Sequence, residues 1–133
     1  MKSDVIAVIE ECTKASDEAR LTFPEVVARL AAAGVERYHA DLQRAEKTYY
    51  LPDGASHVAV SASVAAVPAE IFSAAGVDAA VRAVQARAID YKAFCERIVE
   101  AGCVGYLVSI AGRRAVYYGR SGEAHVEPFP PAR

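Results

Sequence analysis

EKTYYLPDGASHV (Glu46–Val58) and RAVYYGRSGEAHV (Arg114–Val126) carry one pattern twice: Tyr-Tyr, three residues, Gly, two residues, His-Val. The offset is constant at 68 residues, from Tyr49 to Tyr117, Gly54 to Gly122 and His57 to His125. Extended toward the N-terminus without a gap, it pairs FPEVVARLAAAGVERY (Phe23–Tyr38) with YKAFCERIVEAGCVGY (Tyr91–Tyr106). Arg29, Ala33, Gly34 and Tyr38 then meet Arg97, Ala101, Gly102 and Tyr106, giving nine identities in the 38 positions from Phe23 to Val60. Unrelated segments of this composition give roughly two or three. The expectation is a tandem duplication, since self-similarity at a fixed period marks a repeated structural unit.

The local patterns spell out that unit. Val5, Val8, Ile9 and Cys12 recur at helical spacing and predict a helix over about 3–15, which SDEAR then breaks. TFPE supplies a cap at Thr22, a proline in the first turn and Glu25 three residues after the cap, and so starts a second helix that Gly34 ends. From Val35 the period shortens to two, with Tyr38, Ala40 and Leu42 on one face and Arg37, His39 and Asp41 on the other. Lys47 to Leu51 and Ser56 to Val60 follow as strands around the turn at PDG. The second half replays this: a helix near 74–86, Asp90 as a cap, an apolar face of Tyr91, Phe94, Cys95 and Ile98, and strands at 104–110, 114–118 and 124–129. Pro68 keeps Ser61 to Phe72 out of a central strand or helix interior, so it reads as a linker. The tail PFPPAR is too rich in proline to continue a sheet.

The predicted fold is therefore α+β, a single domain over 1–133. Two helix-helix-three-stranded meander units, about 3–60 and 73–129, share one core about an approximate two-fold axis. Units of this size are marginal alone, which favours a common core.

Composition narrows the function. Apolar content of 53% and charged content of 24% fit an ordinary globular chain. A net charge of −2 and a pI near 5.9 argue against a nucleic-acid-binding surface, which normally shows a basic footprint. No apolar run is long enough for a membrane span or a secretory leader, so a cytoplasmic address is expected. Cys12, Cys95 and Cys103 are odd in number and lack Cys-x-x-Cys spacing, as suits free buried thiols.

The combination of TFPEVV, AAGVERYHADL, EKTYYLPDG with His-Val close behind, AGCVGYLV and VYYGRSGEAHVEPFP resembles the YdfO-like and YbcV-like family of small bacterial and prophage-carried proteins. The resemblance runs almost the whole length of the chain. It implies an α+β fold and a domain of unknown function, some of whose members carry the label "phage envelope protein". It supplies no catalytic residues and no cofactor.

Candidate binding residues come from the repeat itself. His57 and His125 place an imidazole at the same point in each unit, suited to metal ligation, proton transfer or anion binding. If the axis runs nearby, the pair converges on one cleft with Asp41 or Glu127; no cluster at metal-ligand spacing accompanies them. In Tyr49-Tyr50 and Tyr117-Tyr118, alternation sends one ring of each pair inward and one outward, where an exposed aromatic can receive a protein or a flat ligand. Arg37, Arg44, Lys47, Arg113, Arg114 and Arg120 make basic turns, which would serve a nucleic-acid strand only as one continuous face. No phosphate loop, nucleophile elbow or cofactor motif is present. The expectation is a non-enzymatic protein with a protein or small-molecule partner. The alternatives are a ligand sensor or enzyme on the paired histidines and a nucleic-acid-binding regulator, and exposed sheet edges would allow a homodimer.

Overall fold

Asp90 starts a helix because its carboxylate accepts the Ala93 N–H at 2.9 Å. At the related position in the first half, Thr22 donates both its N–H and its hydroxyl to the Glu25 carboxylate, each at 2.9 Å. Such caps satisfy amide groups that the helix itself leaves free. The computed structural model describes residues 1–130, and among them four helices and six strands follow in the order helix, helix, meander, twice. They are α1 (Ser3–Asp17), α2 (Phe23–Ala32), β1 (Arg37–Asp41), β2 (Glu46–Tyr50), β3 (Ser56–Val60), α3 (Ala74–Gln85), α4 (Tyr91–Glu100), β4 (Cys103–Ser109), β5 (Arg114–Gly119) and β6 (Ala124–Pro128). The fold is α+β.

The two halves repeat at the same offset of 68 that the sequence shows: α2 and α4, and β3 and β6, match end to end. Backbone conformation repeats as well. The positive-φ residues are Ala19, Gly34, Ala45 and Gly54 in the first half and Arg87, Gly102, Arg113 and Gly122 in the second, four pairs at that same offset. Two of these pairs contain no glycine, although a side chain in this region costs roughly 1–2 kcal/mol. At Ala19 the left-handed residue closes α1, with Arg20 N–H returning to the Ala15 carbonyl; Ala88 N–H returns to Ala83 beside Arg87. This closure carries α1 two residues beyond the expected stop at Ala15.

All six strands form one antiparallel sheet in the order β3-β2-β1-β4-β5-β6. The halves join through β1 and β4, whose register runs from Arg37↔Ser109 through His39↔Leu107 to Asp41↔Gly105. That register maps onto itself when the halves are exchanged, so an approximate two-fold axis passes between His39 and Leu107. The strands bury alternate residues, and every helix lies on the buried side. There Ile9, Leu30, Val77 and Ile98 are sealed against Tyr38, Tyr49, Tyr106 and Val108. β2 stops at Tyr50 rather than Leu51 because the Leu51 N–H turns to the Ala55 carbonyl inside the hairpin.

The segment between the units has no helix or strand, yet it is anchored: Ala69 N–H bonds Val99 O, Ser73 N–H bonds Ala101 O, and Arg120 donates to the Pro68 carbonyl. Pro128 ends β6, an edge strand where a missing N–H does no harm. The last part of the proline-rich tail, 131–133, lies outside the described residues. No helix among the described residues is long and apolar enough to cross a membrane.

Candidate functional site

Among the described residues, no helix or strand lies on the face of the sheet opposite the helices. Across its middle runs one transverse row, a residue from each strand: Val58, Thr48, His39, Leu107, Val116 and Val126. Val58 and Val126, at its two ends, are 50% and 48% exposed. On one side of this row lie Ser56, Tyr50, Arg37, Ser109, Arg114 and Pro128; on the other lie Val60, Glu46, Asp41, Gly105, Tyr118 and Ala124. The apolar stripe is thus bordered by arginines along one side and carboxylates along the other.

Tyr50 and Tyr118, the outward rings of the doubled tyrosines, occupy this face and are held differently. Arg37 places its guanidinium 4.4 Å from the Tyr50 ring centroid. Gly105 stands where Arg37 stands in the first half, and a Cβ there would meet the Tyr118 hydroxyl at 2.4 Å. The absent side chain lets Tyr118 lean across the strand to hydrogen-bond His39 Nε2 at 2.6 Å, the two rings stacked at 5.9 Å.

Other matched residues of the repeat, Tyr38, Tyr49 and His57 with Tyr106, Tyr117 and His125, lie on the helix side. Tyr38, Tyr49 and His57 are direct cross-strand neighbours in one row, and Tyr106, Tyr117 and His125 extend a second. Each row ends on a helix carboxylate. His57 Nε2 lies 2.7 Å from Glu10 on α1, and His125 Nε2 lies 3.7 Å from Asp78, the residue on α3 that corresponds to Glu10. The imidazole thus ties β3 to α1 in the first unit, whereas in the second His125 hydrogen-bonds Glu127 on its own strand at 3.4 Å and only stands near the helix carboxylate. β3 and β6 are opposite edges of the sheet, five strand spacings or about 24 Å apart. The convergence of His57 and His125 on one cleft, which the sensor or enzyme alternative requires, is not what this arrangement gives, because the axis runs through the centre of the sheet.

The sequence profile of a family described as "Protein of unknown function (DUF1398)" matches residues 56–127. The chain belongs to the DUF1398 family. No curated protein matches it. The segment that matches DUF1398 begins with β3, takes in the linker and ends within β6. It includes Leu107, Val116, Tyr118 and both repeated histidines, and leaves out His39, Tyr50 and Lys47.

Within the DUF1398 segment, Asp78, His125 and Glu127 bring three ligand atoms within 4.8 Å of one another. Sequence spacing could not show this, since Asp78 arrives from α3. The donor set suits a divalent ion in kind, but Arg82 already bridges Asp78 and Glu127, so both carboxylates have a cation. A groove of about 420 Å³ between α1 and β3 is lined by Glu10, Glu11, Lys14 and Asp17. Its carboxylates are engaged too: Glu10 with His57, Glu11 with Arg20, and Asp17 with Ser61 and the Ala62 N–H. Burial pushes the Cys95 and Cys103 thiols up to about 11, which keeps them protonated and unreactive at neutral pH.

Lys47 corrects an expectation. Counted among basic turn residues in the sequence, it instead points inward from β2 and is 4% exposed. Its ammonium lies 4.4 Å from the Tyr91 ring centroid, beside a cleft of about 10 Å³ bordered by Asp41, Ser61 and Cys95. Tyr91 in turn shares a 2.7 Å hydroxyl contact with Tyr106. The corresponding second-half position is Ala115, and the residues corresponding to Tyr91 and Cys95 are Phe23 and Val27. The remaining arginines divide between the two ends of the strands, Arg44 and Arg120 at one and Arg37, Arg113 and Arg114 at the other. Arg37 and Arg44 are paired with Glu36 and Glu46.

Proposed function

We propose that this chain is a non-enzymatic binding protein that receives a protein partner on its open sheet face. The motifs shared with the YdfO-like and YbcV-like proteins support a bacterial, prophage-borne origin, and the reading places its action in the cytoplasm. The observation that carries the reading is the transverse row Val58-Thr48-His39-Leu107-Val116-Val126, apolar at four of its six places, with Leu107, Val116 and Val126 contiguous and both end valines about half exposed. An antiparallel sheet with one solvated face normally shows polar residues there, and contiguous exposed apolar surface marks an interaction site. Tyr50, Tyr118 and Arg37 beside the row are residue types that dominate interface energetics. Tyr49, Tyr117, His57 and His125 support the sheet from beneath.

Hydroxyl-radical footprinting inside cells that express the protein tests this, with purified protein at about 1 μM as the reference. The reading requires slower labelling of Tyr50, Leu107, Val116 and Tyr118 in cells, with Phe23 on the helix side unchanged. Equal labelling of the face in both samples overturns it.

A further inference from the structure

We infer that the partner on the open face is a second copy of the same chain, packed sheet against sheet about a two-fold axis that lies along the transverse row. The inference rests on the reading of this face as the interaction surface and adds the identity of the occupant. Both the size of the face and its charge pattern point to a second copy.

Six strands at about 4.8 Å and five residues at about 3.4 Å give a face of roughly 29 by 17 Å, close to 500 Å² per copy. Two copies then cover about 1,000 Å² of sheet before side-chain relief is counted, the size at which specific interfaces begin. Two sheets stacked face to face lie about 10 Å apart with side chains interdigitated, the arrangement of a β-sandwich.

A two-fold axis along the row places each residue of one border opposite the residue of the other border on the same strand. Arg37 then meets Asp41 of the other copy, Arg114 meets Tyr118, and Tyr50 meets Glu46, each contact occurring twice. These are an ion pair, a cation–π contact and a hydroxyl-carboxylate hydrogen bond. The alternative axis, parallel to the strands, places Arg37 opposite Ser109 and Asp41 opposite Gly105, so the ion pair is lost while Arg37 and Arg114 of both copies gather at one end and Asp41 and Glu46 of both at the other. Like charges across an interface are unfavourable, so the surface selects the first axis. Residues on the axis face their own counterparts, and Val58, Leu107 and Val126 pack against themselves.

The test is sedimentation equilibrium of the intact chain from 1 to 200 μM, with Val58→Arg and Val126→Arg as variants. Both positions are about half exposed, at 50% and 48%, so the folded chain tolerates them, and circular dichroism melting checks that it does. Wild type is expected at twice the chain mass of 14.2 kDa, with each arginine, facing itself across the axis, weakening association at least tenfold. A wild type that stays monomeric at 200 μM overturns the inference. So does a dimer that neither variant weakens, which would identify pairing through the free edges of β3 or β6. Footprinting at 200 μM separates the two levels: protection of Tyr118 and Leu107 in pure concentrated protein supports self-association. Protection in cells alone leaves the interaction face standing and removes the second copy as its occupant. Protection in neither removes both.

Discussion

Replacing Lys47 with methionine should make the protein more stable, and the pH dependence of the gain should reveal why. Lys47 is 4% exposed, and because no fully buried side-chain nitrogen or oxygen among the described residues lacks a partner, its ammonium keeps only a narrow opening to water beside the small cleft. Within the protein it faces the Tyr91 ring, a cation–π interaction worth up to about 2 kcal/mol in a desolvated setting. Against this stands the loss of hydration, several kcal/mol for an ion inside a protein. Burial wins, because the lysine's pKa is held below its ordinary value despite the acidic groups around it. Methionine is unbranched and of similar length, so it fills the same channel without the charge. The expected gain at pH 7 is about 1–2 kcal/mol, or roughly 3–8 °C in melting temperature for a chain of this size. Lys47→Ala should do the reverse, since losing the buried stem costs about 1–3 kcal/mol in packing.

The folded state binds the Lys47 proton less tightly than the unfolded state does. Wild-type stability linked to this group therefore rises with pH, starting at the lowered folded value and ending near the unfolded value of 10.5. The charge penalty is complete below that window and gone above it. Urea denaturation of wild type and Lys47→Met at intervals between pH 6 and 10.5 should show the methionine advantage shrinking toward zero as pH rises. Ionisation of the buried tyrosines and cysteines is common to both proteins and cancels in the difference. A methionine variant that is no more stable than wild type, or a gain independent of pH, would refute the argument. Either result would mean that the ammonium is well solvated where it sits.

Two further measurements probe the repeat. Gly34 and Gly102 share a φ near +92°, but a Cβ on Gly34 meets nothing within 4 Å, whereas one on Gly102 falls 2.6 Å from the Ile71 carbonyl oxygen and 2.8 Å from Phe72 Cα. Gly34→Ala should cost about 1–2 kcal/mol in strain, and Gly102→Ala about 2–5 kcal/mol because overpacking adds to that; equal costs by chemical denaturation would show that the linker does not press on α4. A double-mutant cycle on Glu10 and His57 should return a coupling below about 1 kcal/mol that falls further in 1 M salt, because both groups are partly exposed; a larger, salt-insensitive coupling would show that the pair does more than fasten an edge strand.

How far the fold was legible depended on whether a residue's own chemistry encodes its role. Gly34, Gly54, Gly102 and Gly122 announce positive φ, and Thr22 and Asp90 announce helix starts, so the order of elements and most boundaries could be read directly. Ala19, Ala45, Arg87 and Arg113 adopt the same backbone conformation with no chemical sign of it, and only the constant offset links them. Alternation correctly separated Tyr49 from Tyr50 and Tyr117 from Tyr118. The placement of His57 and His125 was not legible, because it depends on which strands meet at the axis, and β1 pairing with β4 is a long-range choice. Lys47 was misread for a related reason. Its position on the inward side follows from the alternation of β2, but charge suggested solvent, and no local pattern signals that Tyr91 waits beneath it.

The repeat also separates scaffold from specificity. A structural demand present in both halves should be met by the same residue in both, and the matches obey this. Tyr38 with Tyr106 and Tyr49 with Tyr117 fill equivalent core positions, and His57 with His125 faces equivalent helix carboxylates. Residues that differ between related positions answer some demand that the scaffold alone does not make. Beneath the sheet the differences include Lys47, Tyr91 and Cys95 against Ala115, Phe23 and Val27; on the open face they include His39 and Gly105 against Leu107 and Arg37, and Asp41, Glu46 and Thr48 against Ser109, Arg114 and Val116. His39 and Gly105 act together, for Gly105 makes the room through which Tyr118 reaches His39, fixing one aromatic pair beside the axis where the other half presents Arg37 over Tyr50. On the proposed reading, Tyr50, Tyr118, Val58 and Val126 of the doubled motif supply the contact surface, and the unmatched His39 and Gly105 make its two halves differ.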